Sequence, residues 1–288
     1  MNKWGLLSII IVSISSAAII YIVNMHTMPA ITYFPLANDQ QIEEAKTDIS
    51  LFSENGNDSY EIIWSANSKS DTPTYLRQDT SLLYDNGRLH GVRSKWKQNT
   101  DTINIKERLF HEDSSFFQAI TFHHGEIHNQ DKTIKSIQQI SSDRLYVIDS
   151  PTTSLESFKT PQNNYEVEWK NLLDKTTRQQ LIFHWNQLFT HFDIDSSNYL
   201  SVPLTNLSTY QTKPLPSLTQ QETDKIMGQL WEGLYKNYIV PATKQTNKQP
   251  ISYIPIVLFS KDLDHLLVLY ELNGNKKQLI QKYKLTKN

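Results

Sequence analysis

The chain has 288 residues, of which 38% are hydrophobic and 20% charged, with a net charge of −2. That balance suits a folded domain, excludes a disordered tail and gives no electrostatic case for nucleic acid. Cysteine is absent, which excludes disulfides and a lipidated-cysteine anchor.

Residues 4–23 (WGLLSIIIVSISSAAIIYIV) carry no charge and follow a lone Lys3. At about 1.5 Å per residue such a helix spans roughly 30 Å, the thickness of a bilayer's hydrocarbon core. Trp4 and Tyr21 stand near its ends, where amphipathic rings favour the interface. The pattern predicts a transmembrane signal anchor at 4–23, in contact with the lipid bilayer, behind a cytoplasmic start at 1–3. The alternative is a secreted protein whose signal is cleaved after Ser16-Ala17-Ala18, although the apolar run continues through Val23. Lys3 precedes the span, while Asp39, Glu43 and Glu44 come before Lys46. The positive-inside tendency therefore places the N-terminus in the cytoplasm and the rest outside. An exported, cysteine-free chain fits the envelope of a Gram-positive-type bacterium.

Residues 24–50 read as a juxtamembrane spacer, with prolines at 29 and 35 and a short polar helix over 39–46. A β-rich part follows over 51–150. Strands are expected at 60–65, at 103–110, and on both sides of the Asp85-Asn86-Gly87 turn within 80–96. Asn-Gly supplies the positive φ angles of a type I′ hairpin. A further hairpin is expected around His124-Gly125, joining 116–122 to 125–128, with strands at 134–140 and 145–148.

A polar linker over 151–162 leads to a helix marked by Trp169, Leu173, Leu181, Trp185 and Leu188, capped by Asn163 or Asn164 and broken near 175–177. A proline-bearing loop spans 193–217. The next helix has a capping box, either Ser217 with Gln220 or Thr219 with Glu222. Its apolar side carries Ile226, Met227, Leu230, Trp231, Leu234 and Tyr238 before Pro241. Three strands close the chain at 251–259, 265–272 and 277–285, with a hairpin at Asn273-Gly274. Strands, then helices, then strands predict an α+β fold: an N-terminal transmembrane helix, then an antiparallel β-rich ectodomain with two main helical segments and a C-terminal β-meander. Two subdomains are expected, 51–150 and 151–288.

The eight glycines form no dinucleotide, phosphate-loop or nucleophile-elbow pattern, and no cofactor is implied. Glu126 and His128 share one strand face by alternation, His124 joins them across the expected turn, and imidazole with carboxylate suits zinc or another transition ion. Their spacing lacks the helical H-E-x-x-H arrangement, so a polar hairpin tip is the plainer reading. Residues 193–198 resemble an Asx turn more than a calcium loop. Arg93, Lys95 and Lys97 form a basic row that suits an anionic wall polymer or lipid, or simply the wet face of a sheet. The favoured function is a non-enzymatic accessory or regulatory module that binds an envelope protein. The alternatives are a metal-assisted surface hydrolase and an anionic-polymer or lipid binder.

Overall fold

A computed structural model of the chain describes residues 31–55, 59–150, 154–243 and 251–283. The span expected at 4–23 and the cytoplasmic start lie outside these residues. Among the described residues, no helix is long and apolar enough to cross a membrane. The described residues form an α+β fold rich in sheet, with two antiparallel sheets and three α-helices among them.

The first sheet contains β1 (Ile42–Asn55), β2 (Ser59–Asp85), β3 (Arg88–His111), β4 (Ser115–His128), β5 (Ile134–Ile148) and β6 (Glu156–Phe158). Strands β2 and β3 form one long ribbon around Asn86 (φ 45°) and Gly87 (φ 81°), the turn that Asn-Gly predicts. Their register breaks between Lys69 and Thr74, next to Pro73, which has no N–H to give the ladder. Beyond the break β2 changes partner on its other edge: β1 pairs with 59–70 and β4 with 76–85. The two halves of β2 thus face each other, and Trp64 Nε1 donates to Ser81 Oγ at 3.0 Å. Strand β1 also reaches β5, where the Ile49 N–H donates to Asp143. The sheet nearly closes around Ile49, Ile62, Trp64, Leu83, Phe117 and Leu145.

Two expectations are corrected here. The spacer stops short of residue 50, because 42–55 is a strand rather than a polar helix and its surroundings. Thr47 and Ile49 alternate inward while Lys46 and Asp48 are left outside, a pattern with too few apolar positions to read from sequence. No turn forms at His124-Gly125, since β4 runs straight through both. A Cβ on Gly125 would lie 2.9 Å from Ile137 Cγ1, so this glycine permits close packing of neighbouring side chains.

The second half opens with α1 (Asn164–His191). The Asn163 side chain accepts from Glu166 N, and the helix continues unbroken through 175–177. Asp195 caps a short 3-10 turn, Ser196–Asn198, as an Asx turn would. Strand β7 (Tyr199–Pro203) then lies inside the stretch read as loop. Helix α2 (Gln220–Leu234) uses the Thr219–Glu222 capping box. The helical path does not stop before Pro241. A π turn, Tyr235–Ile239, leads into α3 (Val240–Thr243), with Val240 N–H bonded to Tyr235 O. Strands β8 (Ile256–Ser260), β9 (His265–Leu272) and β10 (Asn275–Lys282) complete a second sheet in the order β10-β9-β8-β7.

Helix α2 is packed between the sheets. Its Ile226, Leu230, Trp231 and Leu234 share one apolar cluster with Leu82, Ile120 and Phe122 of the first sheet and with Val257, Phe259 and Val268 of the second. The Phe122 and Trp231 rings stack 5.0 Å apart. From Ile31 onward the chain forms one compact unit.

Candidate functional site

Successive residues of a strand face opposite sides, so His123 and His124 enter different surroundings. His124, Glu126 and His128 share the outer face of β4, but the structure gathers only two of them. His128 Nε2 lies 3.6 Å from Glu126, and the Tyr75 ring stacks on His128. His124 is buried, with Nε2 3.4 Å from Ser136 Oγ. Burial, reinforced by the Arg77 charge, pushes its pKa down to about 4. Along a straight strand, residues four apart are separated by roughly 13 Å, too far to share one ion without a bend. Among the described residues, no group of three or more His, Asp or Glu side chains is placed to hold a metal ion.

Arg93, Lys95 and Lys97 are exposed on β3 in the expected row. Arg93 Nε pairs with Glu107 at 2.8 Å, and Lys95 donates to Asn104 O. Because β3 bends with β2, its far half supplies these partners to the near half. An anionic polymer would therefore compete with Glu107 for Arg93.

The inner face of β4 holds a constellation that sequence reasoning missed. The register aligns Ser81 of β2, Thr121 of β4 and Ser141 of β5 in one row, and Asp79, His123 and Gln139 in the next. Asp79 Oδ2 lies 2.7 Å from His123 Nδ1, and His123 Nε2 lies 2.8 Å from Ser141 Oγ. Acid, imidazole and hydroxyl are thus connected in the order found in serine hydrolases. No linear motif announces them, because their proximity depends on strand register across residues 79–141.

Arg77 extends the line. Both Arg77 and Asp79 are fully buried, with Arg77 Nη2 3.8 Å from Asp79 Oδ1. Ser68 Oγ accepts from Arg77 and donates to Asp79 Oδ2 at 2.7 Å. Burial lowers the Arg77 pKa, with Asp79 and Asp101 opposing it.

Access separates a nucleophile from a structural hydroxyl. Thr47 Oγ1 donates to Thr121 Oγ1 at 2.7 Å and lies 2.6 Å from Ser141 Oγ, where either atom can donate. Nδ1 of His123 faces the Asp79 carboxylate, so Nε2 of a neutral ring accepts, the polarity a general base needs. Asp79 and His123, however, have no exposed surface, and Ser141 Oγ is held between Thr47 and His123. Thr121 continues the chain to Ser81, and Ser81 accepts from Trp64. The hydroxyl line therefore runs between side chains from His123 to Trp64.

No protein-family model, no curated protein and no solved structure matches the chain.

Proposed function

We propose that this chain is a single-pass, membrane-anchored extracytoplasmic protein that acts by binding an envelope protein partner rather than by catalysis. The uncharged stretch at 4–23 supports the anchor. The observation that carries the non-catalytic reading is burial: Asp79 and His123 have no exposed surface, and Ser141 Oγ is held between Thr47 at 2.6 Å and His123 at 2.8 Å. Tethering would raise the local concentration of the outer domain near other membrane proteins, so that modest affinity suffices.

The test combines two measurements. Full-length chain is crosslinked in intact membranes, and any captured protein is purified and titrated against residues 31–288, which form a compact unit. Saturable direct binding, with no turnover of cell-wall substrates by the same unit, is the expected result. Failure of direct binding, or turnover that disappears in Ser141→Ala, overturns the reading.

A further inference from the structure

A cleft of about 300 Å³ opens between the outer face of β4 and β5 and the 3-10 helix Leu204–Gln211. The register sets Gln118 opposite Arg144 and Ile120 opposite Ser142, so alternation turns Gln118, Ser142 and Arg144 to that one face. The 3-10 helix lies over it, with the Ser142 and Ser208 hydroxyls 2.6 Å apart and Gln118 Nε2 donating to Thr205 Oγ1 at 3.3 Å. Every side chain that lines the cleft is polar. The volume is at the small end of ligand sites, about 300–1,000 Å³, and suits one sugar ring rather than a polymer.

The polar groups here are within reach of solvent, and several are unused. Ser142, Arg144, Asn206 and Thr209 are exposed. Arg144 makes no ion pair or hydrogen bond among the described residues, and the Asn206 and Thr209 side chains make no hydrogen bond there either. Ser142 and Ser208 have two hydroxyl hydrogens between them, and their mutual bond uses one, so the other is left to give. The carboxylate at the cleft is already engaged: Asp143 Oδ2 accepts from the Ile49 N–H at 2.7 Å and from Lys159 at 2.6 Å. Arg144 is therefore the free charge of the site.

These groups select a ligand class. A guanidinium with no carboxylate beside it offers a donor fork that matches an oxyanion. Hydroxyl and amide groups next to it match the hydroxyls of a sugar. An apolar chain would gain little, since no apolar side chain lines the cleft. We propose that this cleft binds a single anionic sugar, whose carboxylate or phosphate pairs with Arg144 while its hydroxyls bond to Ser142, Ser208 and Asn206.

The site is independent of the protein-binding reading and is tested apart from it. Residues 31–288 are titrated by calorimetry with glucuronate, glucose 6-phosphate, glucose and acetate. At least one anionic sugar should bind saturably, and more tightly than glucose, which lacks the charge, or acetate, which lacks the hydroxyls. The tighter of the two identifies the anionic group. Arg144→Gln should weaken that sugar roughly 10- to 100-fold, the value of a charge-assisted contact. Arg144→Lys keeps the charge without the fork and should weaken it less. Thr209→Trp, which fills the cleft, should abolish binding. Because Arg144 is exposed and unpaired, its variants should leave the thermal midpoint unchanged, so a lost affinity is not a lost fold. No saturable binding of either anionic sugar, equal binding of glucose or acetate, or unaltered affinity in Arg144→Gln or Thr209→Trp overturns the proposal.

Discussion

Asp79 lies between Arg77 and His123 with no exposed surface, so the interior of the first sheet holds charges that water does not reach. Removing one member of a buried pair strands the other, and the cost is about 3–5 kcal/mol. Ser141 is only partly buried and contributes neutral hydrogen bonds, each worth about 1 kcal/mol net. Asp79→Ala should therefore destabilise residues 31–288 by several times as much as Ser141→Ala, as read by urea unfolding. Equal losses would contradict the arrangement of charges described for this interior. His124 supplies a pH test on the outer face of the same strand. Its folded pKa is about 4, against about 6.5 when unfolded. Between those values the unfolded chain binds more protons, so stability rises with pH and is lost as pH falls from about 6.5 to 4. From pH 7 to pH 4.5 that loss is about 2–3 kcal/mol from this residue alone. His124→Gln should shrink the drop in unfolding free energy over that interval by a similar amount, and an unchanged drop would refute the assignment. The sequence alternation put Glu126 and His128 on one face and His124 across a turn, whereas β4 runs straight through all three. It could not reveal that His124 would be buried near Arg77 and Glu232, nor that its neighbour His123 would meet Asp79 and Ser141.

The elements most legible in the sequence are those specified by neighbouring residues. The capping box at Thr219 and both Asn-Gly turns involve residues no more than three apart, and all three appear as expected. Strand β1 was less legible because its inward positions are few and partly polar, although its partner β2 follows at once, and β7 because its partner β8 lies some fifty residues downstream. The continuous β2–β3 ribbon was read as separate strands, since Pro73 interrupts its pattern although the ribbon only bends there. The first Asn-Gly turn also does more than reverse the chain. A Cβ on Gly87 would lie 3.0 Å from Leu181 Cδ2 and 3.3 Å from Thr177 Cγ2, so α1 packs directly on the turn. Gly87→Ala combines that crowding with a left-handed φ of 81° and should cost about 1–2 kcal/mol in thermal or urea unfolding. The comparison is Gly274→Ala, which has a similar φ of 78° but nothing within 4 Å of the added Cβ. If both variants lose the same stability, the packing of α1 against the turn contributes nothing.

On the scale of the whole molecule, α2 decides whether the two sheets behave as one body. A Cβ on Gly228 would lie 2.3 Å from Gln138 Oε1, which shows how closely α2 approaches β5 of the first sheet. Tyr235 on the following π turn accepts from Gln78 at 2.9 Å, and the Tyr84 and Tyr238 hydroxyls lie 3.3 Å apart. Residues on both sides of 151 therefore share a core, and calorimetry of 31–288 should show one cooperative transition. Two separate transitions would mean that the shared apolar cluster contributes little to stability. The same integrity underlies the functional account, because register alone aligns the Asp79–His123–Ser141 line and β1 alone brings Thr47 over it. Intact-mass analysis of residues 31–288 after exposure to a fluorophosphonate tests that account most directly. With Asp79 and His123 fully buried and Ser141 Oγ held between Thr47 and His123, the mass should remain unchanged under conditions that fully modify a serine hydrolase. A single phosphonyl adduct on Ser141, lost in His123→Ala, would contradict the account and make this interior a catalytic site.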